Sequence, residues 1–485
     1  MSDTRRREFL VQTASTAAVI VVGGSLAACG GADARPAEFR YGVASGDPLT
    51  DRVILWTHAK IKDSADAVPL TWQVASDKDF ATVVRSGGVT ATEATSFTAK
   101  VDVTGLTPGS SYFYRFRDDT GASSTVGTTR TLPTSSATSV KLAVFSCALY
   151  SAGYFNAYDA AAKSDAQYAI HLGDYLYEYG ADPAKFGNTD PLTNTTAVSL
   201  GRVVSPANDM VSLSDYRTRH ALYKSDASLQ ALHARMPWIT VWDDHEFAND
   251  AYVGGAENHN AATQGDWTTR KNIAARAYHE WMPIRTDASG DQLKIYRRFD
   301  FGNLLSLHML DTRIEGRDQQ YGNFGDADGG VGRYVTGLTT GADATRRMMS
   351  ATQQSWLASG MAASQATWQF LGNQDIMARM WFPASVLQAY AAAATNPTAV
   401  TAAITDYLNA KATRAAAPGA LTPTQTALLA APKIPYNLDA WDGYPSNREA
   451  LLQTIKAQNK KLVALSGDSH NAWFANLTTL AGEKV

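Results

Sequence analysis

Six apolar runs in this chain are each followed at once by side chains that can ligate a metal or carry a proton. AVFS runs into Cys147, and YAIHL into Gly173-Asp174-Tyr175-Leu176-Tyr177-Glu178-Tyr179. WITVW leads to Asp243-Asp244-His245-Glu246, with Asn249-Asp250 just behind. LSLHML leads to Asp311-Thr312-Arg313, QFL to Gly372-Asn373-Gln374, and LVALS to Gly467-Asp468-Ser469-His470-Asn471. Gly, Asn and Asp are ordinary turn residues, which suffices for Gly372-Asn373-Gln374 taken alone. Turn formation does not select Cys, Tyr, DDHE and DSH together.

The chemistry this set suits is metal binding. Carboxylate and Asn oxygens favour hard cations, while thiolate and imidazole favour transition metals. A Tyr three residues after an Asp, as in Asp174 and Tyr177, can lend a phenolate to a ferric centre. A mixed donor set points to two or more unlike ions sharing carboxylates. Such a cluster orients a phosphate, neutralises its charge and activates water for in-line attack. His245 or His470 would protonate the leaving oxygen, or His470 would ligate. Arg313 would grip phosphate oxygens through its planar fork, or pair with Asp311 to pin the end of a hairpin. Glu178 and Glu246 either support the ligands or are solvated charges. His171, inside an apolar run, reads as structural. The chain has no G-x-S-x-G elbow, phosphate-binding GxxxxGK[ST] loop or C-x-x-C pair, which weakens serine-hydrolase, nucleotide-binding and thiol-redox readings.

Placing these residues on one rim requires a layered α/β core, because ligands of open α/β sheets collect beyond the carboxyl ends of strands. The runs 140–146, 168–172, 238–242, 368–371 and 462–465 read as buried strands. Residues 293–301 and 304–310 read as a hairpin around Gly302-Asn303. Helical patterns over 214–234 and 270–282 separate the strands, and the Ala-rich stretch 383–431 reads as a helical insertion. Residues 38–134 look all-β instead. Their β-branched and aromatic runs are spaced by Asp, Gly, Pro and Thr, as in a sandwich. Leu106-Thr107-Pro108 ahead of Tyr112-Phe113-Tyr114 resembles the tyrosine corner of fibronectin type III domains. Residues 131–136 read as the linker out of this β region.

The 485 residues are 45% hydrophobic and 18% charged, with formal net charge −3. That composition excludes a disordered chain and gives none of the basic excess of a nucleic-acid binder. Two cysteines exclude a disulfide framework. Arg5-Arg6-Arg7-Glu8-Phe9-Leu10, an apolar stretch and Leu26-Ala27-Ala28-Cys29 form an export signal of twin-arginine type, ending in a lipoprotein box. The plainer alternative is an ordinary signal cleaved near Ala28. The expectation is export through the twin-arginine machinery to the periplasm or cell surface, with a lipid on Cys29 and a tether to residue 37. Cys147 is then the one cysteine left to the fold.

Taken together, FRYGVASGDPLTDRVILWTH (39–58), FSC (145–147), HLGDYLYEYG (171–180), VWDDHEFAND (241–250), LDTR (310–313), WDGYP (441–445) and LSGDSHNAW (465–473) resemble the PhoD-type alkaline phosphatases. These are secreted phosphomonoesterases and phosphodiesterases related to a metal-dependent bacterial phospholipase D. The resemblance implies a calcineurin-like, two-sheet metallophosphoesterase sandwich over residues 138–485, following a fibronectin-III-like domain at 38–134. It implies one ferric iron and one or two calcium ions. Cys147, Asp174, Tyr177 and Asp468 would hold the iron, with Asp174 and Asp468 bridging to calcium. Asn249 or Asp244 would supply a further ligand. Members of the family usually continue with more strands past the GDSH motif, so a catalytic domain cut short near Val485 is expected. The activity implied is hydrolysis of phosphate mono- and diesters. Two other readings stand beside it: a phospholipid-specific hydrolase, and a surface lipoprotein that binds a partner without catalysis.

Overall fold

In the computed structural model the described residues are 35–134, 137–181, 197–322, 345–391 and 396–485. The segment read as an export signal and Cys29 lie outside them. Residues 36–485 form one compact unit.

Apolar, β-branched and aromatic residues, continuous in some strands and alternating with polar ones in others, build the N-terminal strands β1 (Val43–Gly46), β2 (Arg52–His58), β3 (Val68–Ala75), β4 (Val83–Ala91), β5 (Thr98–Thr104), β6 (Ser111–Asp118) and β7 (Gly127–Arg130). One antiparallel sheet runs in the order β4-β3-β6-β7. Its inward residues Leu70, Val74, Tyr114 and Phe116 pack on Val43, Val53 and Leu55 of the facing strands. The corner motif is present: the Tyr112 hydroxyl accepts a bond from the Thr107 amide at 2.8 Å.

Strands β8 (Leu142–Phe145), β9 (Tyr168–His171) and β10 (Trp238–Thr240) pair in parallel. They do not stop at an edge. β10 pairs with β1 at Trp238 and Gly46, so one six-stranded sheet runs β8-β9-β10-β1-β2-β5. Three strands of the N-terminal β region thus extend the parallel sheet of the α/β part. Gly46 makes this possible. A Cβ there would collide with the Pro283 carbonyl and lie 2.8 Å from the Trp238 carbonyl. Gly46→Ala is therefore expected to cost about 1–3 kcal/mol, typical of overpacking. A urea midpoint unchanged from wild type would show that the joint tolerates a methyl group.

The helical pattern over 214–234 resolves into two helices. After α1 (Asn156–Ala162), α2 (Leu213–Lys224) ends and α3 (Ala227–Arg235) begins at Asp226, whose carboxylate accepts the Leu229 amide at 3.1 Å. Asp at an N-cap stabilises a new start, and it outweighs the continuous pattern. α4 (Trp267–Trp281) is capped by Asp266 in the same way.

The second sheet contains β11 (Arg297–Phe301), β12 (Leu305–Met309), β13 (Trp368–Gly372) and β14 (Lys461–Leu465). β11 and β12 form the expected hairpin, and β12-β13-β14 run parallel. Ile170 and Ile239 of the first sheet share one core with Phe299, Leu305 and Leu307 of the second. The Tyr168 and Phe301 rings meet edge-on at 5.0 Å. Each such apolar side chain contributes about 1.5–3 kcal/mol by leaving water, which presses the sheets together and aligns their carboxyl ends. The helices α5 (Ala351–Ala363), α6 (Ala384–Ala391), α7 (Pro397–Ala416) and α8 (Pro423–Ala430) complete the C-terminal half, with α9 (Pro445–Ala457) leading into β14. The insertion comprises α6 to α8, on a two-stranded base of Trp381–Pro383 and Lys433–Pro435. Among the described residues no helix is long and apolar enough to cross a membrane.

Candidate metal centre

The strand ends deliver their polar residues through sharply turned backbone. Cys147, Asp174, Asp468 and His470 all have φ between 53° and 61°. Non-glycine residues in this left-handed region are uncommon and strained, and they persist where surrounding structure holds them. Here the loops hold one another. The Cys147 amide donates to the Gly173 carbonyl at 3.2 Å, and the Ala148 amide to the Asp174 carbonyl at 2.8 Å. Gly173, at φ 115°, lies so close to Asp243 that a Cβ would strike the Asp243 backbone. Gln374 crosses between sheets, donating to the carbonyls of Trp242 (2.8 Å) and Leu310 (2.7 Å).

Four groups of candidate ligands converge, each with its ligand atoms within 4.8 Å of one another. They are Cys147 with Asp174 and His470; Asp174 with Asp244 and His245; Asp243 with Asp244 and Asp468; and Asp375 with Asp439 and Asp468. The groups share members, so the cluster is continuous. Tyr177 joins it directly. Its hydroxyl donates to Asp174 Oδ2 at 3.1 Å and meets His470 Nε2 at 3.0 Å. Asp468 belongs to the third and fourth of these groups, and its charge also acts on the Cys147 thiol. Asn249 lies at the margin: its amide N–H donates to Glu178 at 2.7 Å and its side-chain nitrogen to Glu257.

Two glutamates that the sequence left undecided are buried supports. Glu246 accepts three backbone amides, of Asp174 (3.0 Å), Tyr175 (2.5 Å) and Asp243 (2.7 Å). Glu178 holds His245 Nδ1 at 2.7 Å and receives Asn258 at 2.8 Å. His171 meets the Tyr158 hydroxyl at 2.9 Å deep in the core, as expected of a structural histidine.

Arg313, which the sequence offers as a phosphate grip or as a partner of Asp311, sits inside the cluster. Its side chain is fully buried, and each guanidinium nitrogen faces a carboxylate of the cluster. Nε lies 2.5 Å from Asp243, Nη1 2.9 Å from Asp439, and Nη2 2.9 Å from Asp468 and 3.1 Å from Asp375. Asp311 instead accepts the backbone amides of Arg313 (2.9 Å) and Ile314 (2.8 Å). Arg313 thus cross-links the carboxylates of the cluster. Removing one partner of a buried ionic network costs about 3–5 kcal/mol, so Arg313→Met should lose that much in urea unfolding. A change below about 0.5 kcal/mol would show that the acids do not need it.

Sequence reasoning missed Asp375 and Asp439 as members of the cluster. Asp375 follows Gly372-Asn373-Gln374, which reads as a plain turn, and Asp439 stands just ahead of the WDGYP motif. The usable signal was their position beside those segments.

The residues present fit metal ions. Asp174 Oδ1 is buried without a hydrogen-bond partner among the described residues. Burial pushes the Asp174 carboxyl up to about 8, with Asp244 and Asp468 adding to the rise against His245. Burial also drives Asp243 and Asp468 well above the carboxylate range, and burial together with Asp174 pushes up the Cys147 thiol. Six carboxylates (Asp174, Asp243, Asp244, Asp375, Asp439, Asp468) face only Arg313, Arg317 and His245 as counter-charges among the described residues. Cations would relieve that surplus and take up the orphaned oxygen.

Comparison with known proteins agrees with this geometry. Residues 142–484 match the PhoD-like phosphatase family, and residues 25–133 match the PhoD-like phosphatase N-terminal domain. The chain is 33% identical over 453 residues to alkaline phosphatase D of Bacillus subtilis (strain 168). That match covers 90% of this chain and 65% of the relative, so the chain spans about two thirds of the relative's length. A solved structure of PhoD superposes with a TM-score of 0.71 at 31% identity, covering 93% of this chain and 74% of that one. The chain belongs to the PhoD-like phosphatase family.

Proposed function

We propose that this chain is an exported, metal-dependent hydrolase of phosphate mono- and diesters. The observation that carries the reading is the meeting of Cys147, Asp174 and His470 ligand atoms within 4.8 Å, beside an orphaned carboxylate oxygen on Asp174. Thiol, phenol and carboxylate donors at Cys147, Tyr177 and Asp174 suit ferric iron, and the all-oxygen groups around Asp468 suit calcium. Asp244, a member of two donor groups, is one second-site ligand; Asn249, whose side-chain nitrogen is tied to Glu257, would offer its amide oxygen as the other. When bound, such ions neutralise phosphate charge and make water more acidic.

We assign His245 as the acid: against the effect of burial, Asp244, Asp174 and Glu178 raise its imidazole above the ordinary histidine range, and Glu178 stays its partner when cations take up the two aspartates. Glu178 occupies Nδ1 at 2.7 Å, which leaves Nε2 to pass a proton to the departing ester oxygen. His470 orients Tyr177 through the 3.0 Å contact with its hydroxyl. Export by the twin-arginine route and lipid attachment at Cys29 are supported by Arg5-Arg6-Arg7-Glu8-Phe9-Leu10 and Leu26-Ala27-Ala28-Cys29. The test is turnover of a chromogenic phosphomonoester and phosphodiester by protein exported in its natural host. Turnover that stops with chelator is expected; binding of metal without turnover of either ester would favour a non-catalytic surface protein.

A further inference from the structure

One face of α2 reaches three loops of the metal centre. Tyr216, Arg219 and Tyr223 recur at helical spacing and are fully buried. The Tyr216 hydroxyl donates to the Phe247 carbonyl, in the loop that carries Asp244 and His245. Arg219 bonds carbonyls: Nη1 donates to Tyr177, Nε to Ser205 at 3.0 Å and Nη2 to Pro206 at 3.1 Å. The Tyr223 hydroxyl accepts the amide of Tyr150 at 3.1 Å, in the loop that carries Cys147. The helix is itself fastened to α4, where Arg217 pairs with Glu280 at 2.7 Å.

Two of these loops meet at Tyr223. Burial lifts its hydroxyl to about 12, and Arg219 and the backbone amides of Tyr150 and Tyr177 oppose that rise. One oxygen therefore faces amides from both loops, the one that presents Cys147 and the one that presents Tyr177. The other anchors divide the work. Arg202 grips the first loop, with Nε on the Tyr150 carbonyl at 2.7 Å, its guanidinium 3.7 Å from the centre of the Tyr150 ring, and Nη1 on Asp226 at 2.7 Å. Arg219 grips the second at the Tyr177 carbonyl. The amides of Cys147 and Ala148 tie the loops together ahead of Tyr177, at the Gly173 and Asp174 carbonyls. Tyr223 ties them on the far side, from a rigid helix.

We propose that Tyr223 is a positioning residue of the metal centre, which through the Tyr150 and Tyr177 amides sets the separation of the Cys147 and Tyr177 donors. Because this rests on the metal reading above, one arm of the test needs no metal. Tyr223→Phe removes one buried oxygen. Tyr168→Phe removes another and serves as the control, since its hydroxyl donates to the Thr131 carbonyl at 2.9 Å, outside both loops. Holoprotein of Tyr223→Phe should give up iron to a competing chelator at least about tenfold more readily than wild type, the usual loss when groups that orient metal ligands are removed. Its visible band should shift. In metal-stripped protein the Cys147 thiol, identified by peptide mapping, should be alkylated at least about threefold faster, the weight of one hydrogen bond. Tyr168→Phe should melt at a lower temperature yet match wild type in iron retention, colour and thiol rate. The proposal is overturned if Tyr223→Phe keeps the wild-type thiol rate, if it keeps wild-type iron retention and colour, or if Tyr168→Phe changes them as much. A wild type that holds no iron would overturn the metal reading alone, and the thiol rate would then decide the role of Tyr223.

Discussion

Asp174→Asn and Asp468→Asn should each lower turnover of a phosphate ester by at least about 10³-fold, about 4 kcal/mol of lost transition-state stabilisation at 1.36 kcal/mol per decade. Asparagine keeps the size of the side chain but removes its charge and one acceptor oxygen. At Asp174 that change strikes the orphaned oxygen and the acceptor for Tyr177. At Asp468 it strikes the carboxylate shared by two donor groups. The fold should survive, because the Asp174 loop is held by backbone bonds to Glu246 and Ala148 that the substitution leaves in place. Stability gives an independent readout with a defined sign. The Asp174 carboxyl is raised from 3.8 to about 8, mainly by burial. Its ionisation therefore weakens the metal-free fold progressively as pH rises from about 4 to about 8. The Asn variant escapes that cost, so with chelator at pH 8 its melting temperature should equal or exceed that of wild type. Full activity in both variants would remove the centre from the reaction. A large fall in melting temperature would instead mark these acids as structural.

The second large effect concerns the metal itself. Protein exported in its natural host should contain iron and calcium, and the iron should absorb in the visible through its thiolate and phenolate ligands. Cys147→Ser removes the one soft donor of the group with Asp174 and His470. Iron content should then fall at least about tenfold while calcium stays, since the groups around Asp468 contain only carboxylates. Tyr177→Phe should shift or remove the colour and free His470 Nε2 from its 3.0 Å partner. Chelation should abolish turnover, and restoring both ions should return it. A colourless, iron-free and fully active preparation would contradict the assignment of Cys147 and Tyr177.

Much of the centre could be read before any coordinates because buried parallel strands are continuously apolar. The first polar residues after each run are then forced to the rim. Cys147, Asp174, Asp244 and Asp468 all follow that rule. Asp375 and Asp439 escaped it because their neighbours read as turns and as an adjoining motif. The fate of Arg313 was unreadable for a different reason. Its position after Asp311 is compatible with a substrate contact, and only the arrival of Asp243, Asp375, Asp439 and Asp468 from distant segments turns it inward.

Hydrophobic period and the residues that interrupt it are local properties, so the order of strands and helices and the polar tips they carry were already present in the linear chain. So were the donor types that suit unlike metals. Partnership between segments is not local. Gly46 against Trp238 merges the N-terminal strands with the catalytic sheet, and Asp226 divides one helical pattern in two. Glu246 gathers three amides from two loops. Each outcome depends on which groups are buried together, where an unpaired charge or donor costs several times what it costs in water. Only the packed structure decides which partner answers it.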